Sequence, residues 1–233
     1  MLRIHVDVRG WQRALHDPVV AVHHEVVGVD NLSTGSYGNL GNAFVVGGTA
    51  GEFRLERIDV RSPDFTDLVA VTEPDVIFHL AAVVSGQAEA DFDLGLRVNL
   101  FGTLNLLEAA RAAGNAPVLV YASSAAVHGG EEPEVITDGV ELNPQTSYGT
   151  QKAMGELLLS DMSRRGFLDG RGLRLPTVSI RPGKPNAAAS SFMSSIFRDT
   201  LQGQTANCPV QSDFQVWHTA PRTVVANLIH AAT

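Results

Sequence analysis

Residues 75–80 read Asp75-Val76-Ile77-Phe78-His79-Leu80, and residues 118–121 read Val118-Leu119-Val120-Tyr121, two short aliphatic runs with almost no polar alternation. A strand with one face in water alternates apolar and polar residues, so runs like these belong to strands covered on both faces, as in a parallel sheet. Similar runs stand at Val26–Val29, Leu55–Val60 and Pro176–Ile180. Helical patterns separate them. Asp64–Glu73 is short. In Glu89–Gly114, Phe92, Leu96, Leu100, Leu104, Leu107 and Ala110 recur at steps of three and four and form one apolar stripe. Thr146–Gly166 is a third helix, with Gly166 where a left-handed residue would end it. After Arg181 the composition shifts to Pro, Asn, Ala and Ser, which reads as a loop through residue 195 entering a short helix. Pro221 then opens a last helix through Ala232. Strand, helix and strand in repetition predict an α/β fold with a doubly wound parallel sheet.

The chain has 233 residues, 17 basic against 25 acidic, for a formal charge of −8. An acidic surface argues against a nucleic acid or an anionic membrane as partner. With 44% hydrophobic and 18% charged residues there is ample material for a packed core. Cys208 is the one cysteine, so an intrachain disulfide and a multi-cysteine metal site are excluded, and no metal is expected. The longest nearly apolar stretch, Val76–Val84, is too short for a bilayer, and Asp7 and Arg9 interrupt any signal-peptide run. A soluble cytoplasmic protein is the expectation. The basic residues divide into 15 Arg and two Lys, Lys152 and Lys184.

Tyr148 and Lys152 lie four apart in the third helix, on one face and about one turn from each other. An ammonium ~4 Å from a phenol at an effective dielectric near 20 contributes ~4 kcal/mol, enough to bring a tyrosine from ~10 to roughly 7, the useful range for a general base. With three Tyr and two Lys in the chain, chance supplies this spacing only about 0.03 times. Upstream, Ser123-Ser124-Ala125-Ala126-Val127-His128-Gly129 follows a strand at the carboxyl edge, where parallel sheets bind ligands. A serine there can hold a substrate oxygen while the tyrosine moves the proton; the plainer reading is a turn or an N-cap. Asp30 closes the run Val26–Val29, where a carboxylate can accept hydrogen bonds from both adenosine ribose hydroxyls and repel a 2′-phosphate. No Lys or Arg follows it until Arg54, which favours NAD over NADP.

Asp30-Asn31-Leu32-Ser33-Thr34-Gly35, His79-Leu80-Ala81-Ala82, Asn99, the Ser123–Gly129 segment and Tyr148-Gly149-Thr150-Gln151-Lys152 together resemble an extended short-chain dehydrogenase/reductase, the NAD-dependent epimerase/dehydratase family with its Rossmann-like fold. Val83-Val84-Ser85-Gly86, Thr146–Lys152, Arg165–Gly170, Arg181-Pro182-Gly183-Lys184-Pro185-Asn186 and Thr219–Arg222 resemble its D-erythronate dehydrogenase branch. The resemblance implies Tyr148 as proton acceptor, Ser124 as the hydroxyl that orients substrate, and Lys152 as the group that lowers the tyrosine pKa and holds the nicotinamide ribose. Asp59 and Val60 would flank adenine, Leu80, Ala81 and Ala82 would line the middle of the cofactor, and Pro182 and Gly183 would approach the nicotinamide. Asn99 would support the active-site helix and its proton path, although a helix-interior Asn bonded to backbone explains it equally. Ser85, Asn186, Lys184 and Arg222 would face the acid substrate, the last two as partners of its carboxylate; either cation also reads as surface charge. The family's habit implies a homodimer through the second and third helices.

Two features depart from the family pattern. A dinucleotide fold opens with a strand and a glycine-rich turn, whereas Met1-Leu2-Arg3-Ile4-His5-Val6-Asp7-Val8-Arg9-Gly10-Trp11-Gln12-Arg13 has one glycine, with Trp11 where small residues are needed. Arg9 or Arg13 offers phosphate a cation and Asp7 repels it. Residues 1–29 keep the length of a strand, helix and strand and read as a divergent or locally frame-shifted segment. Gly35-x-x-Gly38-x-x-Gly41 and Gly47-Gly48-Thr49-Ala50-Gly51 carry glycines without a following helical period, and so read as loop. The second departure is the tail: family members continue past residue 233. Residues 1–181 are thus expected to form the NAD-binding domain with an atypical first βα unit, and 182–233 the start of an incomplete small substrate domain. The leading expectation is NAD-dependent oxidation of the 2-hydroxyl of a small sugar acid such as D-erythronate. The alternatives are a nucleotide-sugar 4-epimerase or dehydratase, and a catalytically impaired fragment that acts as an interaction module.

Overall fold

The computed structural model describes residues 3–7, 25–35, 52–180, 188 and 190–233. Its strands are β1 (Arg3–Asp7), β2 (Glu25–Val29), β3 (Glu52–Glu56), β4 (Val76–His79), β5 (Val118–Ser124) and β6 (Asp169–Leu175), joined in one six-stranded sheet of order β3-β2-β1-β4-β5-β6. Every pairing in it is parallel: Ile4 stands opposite both Val26 and Val76, and Val76 opposite Val118. The order reverses between β1 and β4, the switch point outside whose carboxyl ends such sheets take ligands.

Side-chain alternation divides the core into two layers. Val27, Ile77, Leu119 and Tyr121 face one way, against Phe65 and Val69 of α1 (Pro63–Thr72) and Leu106, Leu107 and Ala110 further on. Val26, Val76, Phe78 and Val120 face the other way, against Val224, Val225 and Leu228. Each such aliphatic side chain contributes about 1.5–3 kcal/mol when fully buried. The second set of contacts comes from the last helix, so the chain ends by returning to cover the sheet.

Three sequence readings need correction. The run Leu55–Val60 is not the third strand; pairing covers Glu52–Glu56, opposite Glu25–Val29. The run Pro176–Ile180 is not a core strand either. The sixth strand is the less apolar Asp169–Leu175, and only Thr177–Val178 (β7) is extended after it, paired with His218–Thr219 (β8) in a separate two-stranded sheet. The single helix expected over Glu89–Gly114 is broken into α2 (Ser85–Ala90), α3 (Phe92–Gly95), a π-helical turn (Leu96–Phe101) and α4 (Gly102–Ala113). Asp91 interrupts it by accepting a bond from Leu94 N at 2.9 Å, and Phe92 is exposed while Leu107 and Ala110 are buried. The other helices fall close to expectation: α5 (Ser147–Arg164) ends before Gly166 at φ 74°, α6 is Ser191–Leu201 and α7 is Pro221–Ala232. No described helix is long and apolar enough to cross a membrane. Gly10 and Trp11 of the atypical entrance, and both downstream glycine clusters beyond Gly35, lie outside the described residues.

Candidate active site

The helix α5 is set against the carboxyl edge of β5 by its small residues. Thr146 caps it, its hydroxyl accepting from Gly149 N at 3.1 Å. At Gly149 a Cβ atom would fall 2.1 Å from the carbonyl oxygen of Ala126, in the tight turn Ala125–Val127 that follows β5. Six residues further along the helix, a Cβ at Gly155 would meet the Tyr121 hydroxyl at 2.5 Å. Glycine at these two positions brings the first turns of α5, with Tyr148 and Lys152, directly onto the segment that carries Ser124.

Lys152 is 2% exposed. Its Nζ donates to the Ala122 carbonyl at 2.7 Å and lies 5.9 Å from the centroid of the half-buried Tyr148 ring. The two serines divide their work. Ser124 is half-buried and its Oγ accepts from Ala126 N at 3.1 Å. Ser123 is buried and donates to Glu156. Arg174 of β6 grips the same carboxylate, with Nη2 at 2.9 Å and Nε at 3.1 Å from Oε2, and its Nη1 reaches the Nε2 side of His128 at 3.4 Å. One ion pair therefore ties together β5, β6, the turn after β5 and α5. Behind it, Asn99 in the π-helical turn accepts from Val83 N at 2.8 Å and donates to Gln151 Oε1 at 2.8 Å, joining the segment after β4 to the helix of Tyr148 and Lys152. Asn99 thus bonds backbone at Val83, and its separate bond to Gln151 reaches α5. His79 is buried at the end of β4, its Nε2 2.8 Å from Thr103 Oγ1. Burial first, and then the charge of Lys152, lower its pKa to about 3, so the imidazole is neutral. Burial likewise pushes the Tyr121 phenol well above its ordinary value, helped by Tyr148 and Glu156 nearby.

At the other end of the switch point, Asp30 is 5% exposed just past β2. Its Oδ1 accepts from Leu32 N at 2.6 Å, and its Oδ2 is buried with no hydrogen-bond partner among the described residues. A buried acceptor without a donor costs about 1–3 kcal/mol, so a ligand hydroxyl here would find a site already desolvated. Asn31 donates to Asp59 Oδ2 at 2.9 Å, and Arg61 holds both oxygens of Asp59 at 2.8 and 2.7 Å. The Arg61 hydrogen bonds are the main reason the Asp59 carboxyl sits far below its usual range. Val60 packs on Gly102, where a Cβ would come within 2.8 Å of it. Leu80, Ala81 and Ala82 are half-buried between the two ends, and Ser85 opens α2 beside them. Arg222 is exposed in the first turn of α7. Pro182, Gly183, Lys184 and Asn186 lie outside the described residues. Tyr121, Gly149, Gln151, Glu156 and Arg174 were not singled out from sequence; only the spacing of Glu156, four residues after Lys152, offered a signal.

An all-parallel sheet of this order, with Tyr148 and Lys152 on the helix after β5 and a carboxylate at the tip of β2, has the Rossmann-like architecture of dinucleotide-binding proteins. The chain belongs to the NAD dependent epimerase/dehydratase family, whose pattern matches residues 13–222. It is 56% identical over 179 residues to D-erythronate dehydrogenase of Cupriavidus necator, a match covering 75% of this chain and 55% of that protein. It is 51% identical over 178 residues to D-erythronate dehydrogenase of Haemophilus influenzae, covering 76% and 56%. Among solved structures, the nucleoside-diphosphate-sugar epimerase from Agrobacterium tumefaciens superposes with a TM-score of 0.83 at 43% identity, over 100% of this chain and 69% of that one. The chain thus spans just over half the length of the dehydrogenases it matches.

Proposed function

We propose that this chain carries the site of an NAD-dependent dehydrogenase that oxidises the 2-hydroxyl of a small sugar acid such as D-erythronate to the 2-oxo acid. The observation that carries the reading is the buried Lys152 ammonium, anchored on the Ala122 carbonyl beside Tyr148. The described residues fit the cofactor: Asp30 offers a buried oxygen without a partner among them for a ribose hydroxyl, Asp59 and Val60 would take the adenine end and Leu80–Ala82 the middle, and Pro182 and Gly183, outside the described residues, are assigned to the nicotinamide by the family resemblance alone. NAD, when bound, supplies the acceptor for the hydride that leaves C2.

The chain's own side chains then handle the proton. Ser124 Oγ donates to the substrate oxygen and holds it. The Lys152 charge favours the Tyr148 phenolate, whose Oη accepts the hydroxyl proton as the C2 carbonyl forms and so becomes the neutral phenol. Asn99 braces the helix from behind through Gln151. Lys184 and Arg222, with Ser85 and Asn186, are assigned to the acid end of the substrate, where a cation pairs with the carboxylate.

The purified chain with NAD and D-erythronate should form NADH, seen by its near-ultraviolet absorbance; NAD binding with no NADH from this acid would remove the substrate assignment. The 43% identity to a nucleoside-diphosphate-sugar epimerase supports a second reading, oxidation at C4 of a nucleotide sugar with return of the hydride. Turnover of a UDP- or dTDP-sugar without net NADH would select it. The proposed division near residue 181 separates a cofactor part from the start of a substrate part, from which α7 returns to pack on the cofactor sheet. The exposed apolar side chains Phe92, Phe101, Met154 and Leu157 support self-association through these helices, which sedimentation would test. The proposed setting is the cytoplasm, where the exposed Cys208 thiol stays reduced.

A further inference from the structure

We propose that Tyr121 is the positioning residue for Lys152: its aromatic face, with the Ala122 carbonyl, holds the ammonium in the place from which it acts on Tyr148. This rests on the reading of Tyr148 as proton acceptor. Lys152 Nζ stands over the Tyr121 ring, 4.7 Å from its centroid, nearer than the 5.9 Å to the Tyr148 ring. A lysine side chain is a point charge on a flexible stem and needs fixed contacts to hold one position. The carbonyl supplies one contact, and the negative face of a ring shielded from water supplies another, stronger for being desolvated.

The ring is itself immobilised. Tyr121 is fully buried in β5, opposite His79 of β4 in the sheet, and stacks on the imidazole at 5.6 Å with 25° between the planes. Its hydroxyl end abuts Gly155 so closely that any side chain there would collide with it. Thr103 fixes His79 in turn. The titratable groups around the ring are His79 from β4 and Tyr148, Lys152 and Glu156 from α5. His79 is neutral, and the Glu156 carboxylate is taken by Arg174 and Ser123. Among these groups the cation that meets the ring face is Lys152, so position 121 needs a π face more than it needs a hydroxyl.

The test uses the full chain with Tyr121→Phe and then with mono-, di- and trifluorinated phenylalanine at position 121, which weakens the negative face at nearly constant shape. Carbon-13 labelling of tyrosine and lysine follows the titration of Tyr148 and Lys152 by NMR; the chain has three Tyr and two Lys, so assignment is direct. The readout needs neither cofactor nor turnover. Absence of NADH formation would therefore count against the dehydrogenase reading and leave this measurement standing. Tyr121→Phe should leave both midpoints near their original values. Successive fluorines should move the Lys152 midpoint down and the Tyr148 midpoint up, by about one pH unit at the end of the series. Midpoints that stay constant along the series, in chains that melt at the parent temperature, would overturn the proposal, as would a shift already complete in Tyr121→Phe. A solely structural role would lower melting temperatures and leave the midpoints in place.

Discussion

At the α5 end of the switch point Lys152, Ser123, Asn99 and Gln151 are buried, Glu156 and Arg174 half-buried, and all are bonded: Lys152 to the Ala122 carbonyl, Ser123 to Glu156, Glu156 to Arg174, Asn99 to Gln151. At the β2–β3 end, by contrast, Asp30 keeps a buried oxygen that no donor among the described residues meets, beside the partly exposed pair of Asp59 and Arg61. The difference matches the roles proposed for the two ends. A group that moves a proton needs its electrostatic surroundings fixed before substrate arrives, whereas a group that holds a nucleoside can leave its last hydrogen bond for the ligand to complete. Substitutions at the first end should therefore act on turnover and stability, and those at the second on cofactor affinity.

The largest expected effect sharpens that division. Tyr148→Phe should lower kcat about 10²–10⁴-fold while leaving NAD affinity within a few-fold of the parent; an equal loss of both would break it. Next is Gly149→Ala, where the new Cβ would sit 2.1 Å from the Ala126 oxygen, a backbone atom that cannot rotate away. It should cost about 3 kcal/mol in denaturant unfolding and reduce turnover as well, since α5 must back away from Ser124. At the other end, Asp30→Ala should weaken NAD binding about 10-fold or more, the worth of hydrogen bonds to a charged acceptor, with kcat at saturating NAD and the melting temperature little changed. Smallest is Arg61→Met, which should cost under about 1 kcal/mol, because its partner is half in water. Its pH dependence has a definite sign. The folded-state pKa of Asp59 is depressed, so the pair's contribution is fully present above about pH 4, the unfolded value, and fades as the pH falls below it. Melting curves of parent and variant should converge in that acidic window and separate above it.

The contrast also explains how much was legible in the sequence. The strand β4 was plain because its four residues are all buried and all but His79 are apolar. The strand β6, Asp-Gly-Arg-Gly-Leu-Arg-Leu, was hidden: it lies at the edge of the sheet, and its arginines spend their charge on Asp169 and Glu156 rather than in the core. Pro176–Ile180 looked the better strand by its β-branched residues, yet tertiary pairing decides such cases more than propensity does. The helix expected over Glu89–Gly114 shows one continuous apolar stripe, and the breaks come at Asp91, whose side chain takes the Leu94 N–H, and at a π-helical turn holding Asn99, whose side chain bonds Val83 and Gln151 outside that turn. In the site, Tyr148 and Lys152 were readable because their relation is local, four residues on one helix. Tyr121, Arg174 and His79 reach the same place only through sheet register and packing, which no spacing within the chain encodes. The place of Asp30 was readable for a similar reason, since it is set by the end of one strand.

Calorimetric titration of the full chain with NAD and with NADP tests whether these two ends form one NAD site. Saturable NAD binding is expected, at least about tenfold tighter than NADP because the Asp30 carboxylate repels a 2′-phosphate, weakened by Asp30→Ala and unaltered by Tyr148→Phe. Absence of saturable NAD binding, or NADP bound as tightly as NAD, would contradict it.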